Sequence, residues 1–419
     1  MIIEKQTEIY SDCTTESFVS SNDLLKLLEK RNEFKDDLLR IFNIDENKIE
    51  VFQIGNSKQL ILSLIRLDSL CDKIDISKKI KDIHLFKMLE AEKATFEIFS
   101  IEDNEILSAN KSDLLTAETR YSAKHDLLDL YNFSKFANYC RDKEYEDLID
   151  IIKKHLVAKN KDNNNQINLR LIHKLDENIF FIRAITSIHG YRDYGLNFSV
   201  FVALIALGRY VTKSKSEIFI DHYSVNDSEI YVSFRLSKVV KLNENLTLSI
   251  SLVLENDEIK RSAVSFNGVC KLTYLDKNKK SEIYIKPKGL KKEGKSYAVD
   301  LLTYSHRGSV AKVYEKIEEL PKVIEEFISQ VSQDAPRISS IKEPDDVRKF
   351  IANKVKYSKK KEFQVYKERV FKKLMKISVD NTFNLFELLR EVEDLFEHED
   401  IVSRDFWRLK LYEALIEKE

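Results

Sequence analysis

The chain has 419 residues, of which 43% are hydrophobic, so it is long enough for two or three hydrophobic cores. Its 69 Lys and Arg residues nearly cancel its 70 Asp and Glu residues, which excludes a protein that is basic overall and leaves nucleic-acid affinity to local patches. The low content of Gly (8) and Pro (4) argues against long disordered linkers.

The four cysteines lie far apart and form no CxxC pair, which favours a reduced chain in the cytoplasm. No apolar run reaches the roughly 18 to 20 residues that span a bilayer. The longest run, FSVFVALIALGRYV at 198–211, predicts a buried helix. We therefore expect a cytoplasmic protein with no membrane segment.

Residues 1–110 have a mixed α/β pattern. The segment SSNDLLKLLEKRNEFKDDLLRIFNI has its leucines at helical spacing, with Ser21 or Asn22 as the expected N-cap. The segments KIEVFQIG and ATFEIFSIEDNEIL alternate apolar and polar residues, which is typical of strands.

Residues 111–166 favour helices. The segments KSDLLTAETRYSAKHDLLDLYNFSKFANYC and EYEDLIDIIKKHLVA carry the apolar spacing, and KNKDNNNQ at 159–166 is typical of a loop. We expect one regular helix over about 112–130.

Residues 167–305 predict an antiparallel sheet with packed helices. Alternating runs such as EIYVSFRLSKVV, LTLSISLVLEN and SAVSFNGVCKLTYL are joined by short polar pieces, as hairpins require. One of these pieces is ENDEIKR, and we expect residues 251–254 to pair with residues 263–266 across it. Residues 306–419 then predict an all-helical C-terminal domain, which gives an α+β fold class overall.

Three segments of the middle region resemble phage- and plasmid-borne proteins of the domain of unknown function family 932. They are FIRAITSIHGYRDYG (181–195), DSEIYVSFRL, and SLVLENDEIKRSAVSFNGVC, in the family's order; NTFNLFELLREVEDLF is a weaker match. Lys260 and Arg261 stand where the family usually has glycines. The resemblance covers about a third of the chain and implies a mobile-element context, but no reaction.

The ENDEIKR segment has two interpretations. Asn and Asp suit a hairpin turn. Alternatively, Asn256 and Glu258, two positions apart, share one face of a strand end and form a polar cluster with Arg183 or Arg192 as partners, because buried carboxylates require pairing.

A second candidate is the segment RYSAKH, which places Arg120 and His125 five positions apart. This arrangement resembles the loose pattern of HEPN-type ribonucleases, in which histidine transfers protons and arginine stabilises phosphate charge. On a regular helix the two side chains would point in different directions, which argues against catalysis by His125.

Charge clusters favour nucleic-acid binding. Residues 271–295 hold nine Lys against three acids, and residues 337–376 hold fourteen Lys and Arg against five acids. Residues 380–400 invert this balance, with eight acids against one Arg, and could neutralise the basic block by packing within the chain or between two copies. Tyr191 and Arg192 in SIHGYRDYG are candidates for base stacking and phosphate contact.

From these patterns the sequence predicts a nucleic-acid-associated protein of a phage, plasmid or antiviral-defence locus that binds rather than catalyses. The alternatives are a metal-independent ribonuclease using Arg120 and His125, and a protein-binding adaptor or inhibitor that assembles with a partner or with its own copies. No cofactor or metal motif is visible. The candidate nucleic-acid-binding residues are Arg183, Tyr191, Arg192, Lys279, Lys280, Lys291, Lys292, Lys354, Lys356, Lys359, Lys360 and Lys361.

Overall fold

The fold is α+β, with a six-stranded sheet, an eight-stranded sheet and a helical C-terminal region. The computed structural model describes residues 6–9, 17–29, 34–89, 93–101, 114–159, 164–188, 194–259, 263–277, 279–288, 300–306, 308–359, 363–396 and 401–417.

The N-terminal elements pack against the core of the eight-stranded sheet. They are β1 (Gln6–Ile9), β2 (Val19–Ser20), α1 (Ser21–Lys26), α2 (Lys35–Ile41), β3 (Val51–Phe52), β4 (Ile54–Gly55) and α3 (Ser57–Leu70). Helix α1 is capped by Ser20, one residue before the expected position. The Ser20 hydroxyl accepts from the Asp23 N–H at 3.3 Å, and the Asp23 carboxylate accepts from the Ser20 N–H at 3.1 Å, which is a capping box.

The six-stranded sheet has the order β5-β9-β10-β8-β7-β6, and only its β8–β10 pair is parallel. Its elements in chain order are β5 (Cys71–Lys79), β6 (Ile83–Met88), β7 (Ala94–Phe99), β8 (Leu114–Thr119), α4 (Ala123–Asp129), α5 (Ser134–Asp142), α6 (Glu146–Lys159), β9 (Gln166–Lys174) and β10 (Ile179–Thr186). The helices cover one face and build a separate core with it, which includes Leu127, Leu171 and Ile182.

Helix α7 (Gly195–Ser214) lies in the centre of the larger core and packs on the eight-stranded sheet. It is long and apolar enough to cross a membrane, but 78% of its most apolar window is buried inside the protein. This burial confirms the expected core helix, which continues three residues beyond the apolar run at each end.

The eight-stranded sheet has the order β1-β11-β12-β13-β14-β15, with β4 paired to β11 and β16 paired to β14. Its strands after α7 are β11 (Ile218–Val225), β12 (Glu229–Lys241), β13 (Leu246–Asp257), β14 (Val264–Asp276), β15 (Lys279–Ile285) and β16 (Leu302–Tyr304). The predicted antiparallel sheet is therefore confirmed for β11 to β16, whereas β9 and β10 of the same region belong to the six-stranded sheet. Leu252 and Leu254 point to the core that α7 fills, as the period of two along a strand requires.

The C-terminal region is helical, as predicted. Its helices are α8 (Val310–Glu318), α9 (Leu320–Ser339), α10 (Pro344–Lys356), α11 (Gln364–Met375), α12 (Thr382–Glu393) and α13 (Ile401–Glu417). Helices α12 and α13 pack along β15, so this region shares the core of the eight-stranded sheet.

Three expectations about the elements are corrected. The expected helix over 112–130 is wrong, because 114–119 form β8, with Leu115, Ala117 and Thr119 buried in alternation. Pairing with β7 and β10 outweighs the helix propensity of this Leu- and Ala-containing stretch. Strands β5 and β6 were not predicted, and the sheet crosses the expected boundaries at 110 and 166 because β8 pairs with β7 and β9 pairs with β5.

The third correction concerns the ENDEIKR hairpin. Its two strands are adjacent and antiparallel as expected, but Leu254 pairs with Phe266 and Ser251 with Val269. The expected register is therefore wrong by three residues, because β13 continues to Asp257 before the chain turns.

Gly268 in β14 permits α9 to approach the sheet, because a methyl group at this position would overlap the ring of Phe327. We expect Gly268→Ala to lower the free energy of unfolding by about 1 to 3 kcal/mol, the usual cost of overpacking. Gly308→Ala is the matched control, since its nearest neighbour atom would lie 3.7 Å away. Urea unfolding measures both variants, and a Gly268→Ala protein as stable as the parent would contradict the close packing.

Candidate functional site

The first polar cluster of the structure is centred on Glu258, just after β13. This side chain is 1% exposed and accepts from Lys73 Nζ at 2.9 Å and from a guanidinium nitrogen of Arg183. The backbone oxygen of Glu258 accepts from Arg170 Nη1 at 2.5 Å. Three cations of the six-stranded sheet thus converge on one residue of the eight-stranded sheet.

The strand pattern explains why these cations share a face. On β10 the side chains of Phe180 and Ile182 belong to the core under the helices, while Phe181 points to the larger core. Arg183 follows at a register shift between Ile182 and Ala184, which places its side chain on the face towards the eight-stranded sheet.

Asn256 and Glu258 share one face, as the alternation of a strand requires, and both contact the start of α7. The Asn256 amide donates to Gly195 O at 3.0 Å and to Ser199 Oγ at 2.7 Å. The Leu196 N–H donates to Glu258 Oε1 at 2.8 Å, where the helix dipole favours a negative charge.

A second buried carboxylate, that of Asp227, also connects the two sheets. Asp227, in the β11–β12 turn, accepts from the Tyr121 hydroxyl at 2.5 Å and pairs with Arg120 at 3.3 Å. The Arg120 guanidinium lies 4.3 Å from the centre of the Phe181 ring. The segment that follows β8 is therefore tied to the eight-stranded sheet.

The neighbouring cations determine the protonation state of the Glu258 carboxyl. Burial alone would favour the neutral form of Glu258, but the charges of Lys73, Arg183 and Arg170 outweigh it and hold the pKa of Glu258 well below its usual range. The cluster is therefore an ionised structural joint, and we call it the Glu258 joint (Lys73, Arg170, Arg183, Glu258).

Two sequence hypotheses change as a result. The side chain of Arg183 is 0% exposed, so it contacts Glu258 instead of the nucleic acid assigned to it. The RYSAKH segment is not one helix: Arg120 precedes the turn before α4, and His125 lies within α4. His125 Nδ1 lies 2.6 Å from Ser134 Oγ, so the histidine and the arginine bind different partners.

A second buried cluster, which the sequence did not indicate, joins α13 to the eight-stranded sheet. Lys286 Nζ donates to Asp405 Oδ2 at 2.6 Å, and Arg408 Nε donates to Glu393 Oε1 at 2.8 Å. Burial and the neighbouring charge of Asp405 raise the pKa of Glu255 to about 8. The raised pKa favours the protonated form of Glu255 beside Asp405.

The open site of the C-terminal region is a cleft of about 670 Å³ between the end of α10 and α13. We call it the lysine–tyrosine cleft, and its lining residues are Phe350, Asn353, Lys354, Tyr357, Ser358, Lys359, Phe406, Lys410 and Glu417. Tyr357 caps the C-terminus of α10 and is 73% exposed, so most of its side chain is accessible to solvent.

Lysines and aromatic rings alternate in this cleft. Lys354 Nζ lies 5.1 Å from the centre of the Phe350 ring, and Lys410 Nζ lies 5.3 Å from that of Phe406. Lys356, just outside the lining, lies 5.7 Å from the Tyr357 ring centre. Arrangements of this kind bind phosphates and bases together.

The lysines of the cleft differ in whether an ion pair within the protein neutralises them. Lys354 Nζ pairs with Glu417 at 2.6 Å, and Lys410 Nζ with Glu413 at 2.6 Å. Lys356 and Lys359 are exposed and form no ion pair with any residue that the structure describes. These two lysines therefore supply the unneutralised charge at the mouth of the cleft.

The remaining predicted residues lie elsewhere or cannot be placed. Lys279 and Lys280 begin β15, where Lys280 pairs with Glu282 at 2.7 Å. Tyr191, Arg192, Lys291, Lys292, Lys360 and Lys361 lie outside the described residues, as do Lys260 and Arg261. The acidic block does pack on the basic block, since Lys373 Nζ lies 2.5 Å from Glu391.

Sequence reasoning missed Lys410 and Phe406, which line the cleft from α13. Their four-residue spacing places them on one helix face, but only the fold brings them to α10, more than fifty residues earlier. Among the described residues, no group of three His, Cys, Asp or Glu side chains could hold a metal ion. Comparison with protein-family models, curated proteins and solved structures finds no match.

Replacement of Glu258 tests the joint. At neutral pH, Glu258→Gln should lower the free energy of unfolding by about 3 to 5 kcal/mol, because it leaves buried cations without their counter-charge. The folded pKa lies below the usual 4.5, so this stabilisation is complete above that value and is lost as the pH falls below it. The difference between variant and parent should therefore shrink in acid. Exposed Glu315→Gln is the control, and equal stabilities of Glu258→Gln and the parent at neutral pH would refute the joint.

Glu255 should have the opposite pH dependence. Its folded pKa of about 8 exceeds the usual 4.5, so the folded state retains the proton and loses stability as the pH rises between these values. Glu255→Gln mimics the protonated side chain and should remove this slope. At a pH above 8 the variant should be more stable by about 1 to 3 kcal/mol. Parallel pH profiles of the two proteins in urea unfolding would contradict the assignment.

Proposed function

We propose that this protein binds single-stranded nucleic acid, DNA or RNA, through the lysine–tyrosine cleft. The observation that carries the proposal is the exposed Tyr357 ring between Lys356 and Lys359, on a cleft that also contains Phe350 and Phe406. Base stacking on an aromatic ring tolerates any sequence, while lysines neutralise the phosphates.

The dimensions and position of the cleft support this function. It is open, and its volume of about 670 Å³ accommodates more than one nucleotide-sized group. Tyr357 and Lys356 lie at the end of α10, whose Val355 and Ile351 are anchored in the core. A rigid support limits the entropy that binding costs.

The biological setting is part of the proposal. The resemblance of residues 181–195 and of the β13–β14 segment to family 932 supports a phage, plasmid or defence locus. The cytoplasm is the compartment in which a reduced protein meets such nucleic acids, and Cys71, Cys140 and Cys270 are free thiols in the structure.

The double variant Tyr357→Ala/Lys359→Glu tests the proposal. It removes one stacking ring and reverses one phosphate-binding charge, so affinity for an oligonucleotide of roughly 16 nucleotides should fall at least tenfold. The slope of log K against log salt should also become less steep. Fluorescence anisotropy at several salt concentrations measures both quantities, for DNA and for RNA.

The control is Tyr145→Ala/Lys143→Glu, which makes the same changes at exposed residues between α5 and α6. Replacing Lys354, Lys356, Lys359, Lys360 and Lys361 together with Glu should also abolish binding. That variant is less selective, because Lys354→Glu would meet Glu413 and Glu417. A parent protein without salt-sensitive binding, or equal affinities of the two double variants, would refute the proposal and favour a protein-binding adaptor.

A further inference from the structure

A cavity lies between the six-stranded sheet and its helices, and its lining residues are far in sequence from those of the lysine–tyrosine cleft. It has a volume of about 370 Å³ and lies between the β6–β7 hairpin and helices α4 and α6. Its wall is formed by six buried apolar side chains: Ile83, Leu85, Phe96, Leu127, Leu128 and Phe133. Such a wall favours an aliphatic or aromatic body over water.

The polar groups of the lining lie at its edge, and most of them have a hydrogen-bond or ion-pair partner within the protein. Lys153 Nζ donates to the Leu85 backbone oxygen at 2.5 Å and pairs with Asp150 at 3.3 Å. His84 Nε2 lies 2.8 Å from the Lys81 backbone oxygen. Lys154 is exposed and has no ion pair with another described residue.

The charge of the lining selects an anion. Lys153 and Lys154 follow one another on α6, and the described lining contains no Asp or Glu. A ligand with an apolar body in the cavity and one negative charge at α6 would satisfy both parts of the site. At about 30 Å³ per non-hydrogen atom, the share of a water molecule in the liquid, 370 Å³ holds roughly a dozen such atoms.

We propose that this cavity binds a free amphipathic monocarboxylate with an apolar chain of about that size. The chain packs against Leu127 and Phe96, and the carboxylate lies at Lys154. The site is independent of the proposed nucleic-acid binding, because it belongs to the separate core of the six-stranded sheet.

Calorimetric titration of the full chain with decanoate, below its micellar concentration, tests the site. Decanoate should bind with one-to-one stoichiometry and about fivefold more tightly than 1-decanol, the preference that one exposed charge provides. Lys154→Glu should abolish this preference. Lys135→Glu, an exposed lysine on α5, should preserve it.

Two variants that block the cavity complete the test. Ala158→Trp places a ring at the exposed α6 edge of the cavity, and Leu127→Phe fills it from the wall. Each should abolish binding of both ligands, with circular dichroism as the check of folding; if one variant unfolds, the other decides. The proposal would be overturned if decanoate showed no saturable binding, if decanol bound equally well, or if the folded blocking variant bound decanoate as the parent does. It would also be overturned if the protein bound anionic lipid vesicles but not free decanoate.

Discussion

One buried carboxylate, that of Glu258, joins the two sheets. Glu258 receives charge from Arg183 and Lys73 of the six-stranded sheet and an N–H group from the start of α7. Packing of the two sheets removes these charges from water, and pairing of Glu258 with Arg183 and Lys73 offsets that desolvation. The joint therefore adds directional charge pairs to the apolar packing of Ile172 and Phe181 in the core of the eight-stranded sheet.

Burial separates the structural charges of this protein from those available to a ligand. Arg170 and Arg183 of the Glu258 joint are fully buried, so they cannot reach a phosphate without breaking the core. Lys356 and Lys359 instead lie at the cleft of the exposed Tyr357 ring, where water and ligands have access. In the sequence, the cations of the Glu258 joint and the lysines of the cleft are equally basic residues. Their solvent exposure distinguishes their roles.

The sequence predicted what local patterns encode. Long alternating strands and apolar helical spacing identified the eight-stranded sheet, α7 and the C-terminal helices, and the need to pair a buried acid suggested Arg183 for Glu258. Alternation also indicated β7, β9 and β10, but the six-stranded sheet was not predicted as a unit, because β8 is held by pairing with β7 and β10, which no local pattern reveals. Lys73 and Arg170 were missed for the same reason, since their contacts with Glu258 join residues 88 to 185 positions apart.

The same limit explains why the cleft emerged only from the fold. The basic block of residues 337–376 is partly neutralised by contacts such as Lys373–Glu391 and Lys354–Glu417, so its excess of charge overstates its capacity to bind an anion. Part of the remaining charge, that of Lys356 and Lys359, lies where α10 ends and α13 passes it. For the proposed nucleic-acid binding, Tyr357 would add stacking that salt does not screen to the charge of Lys356 and Lys359.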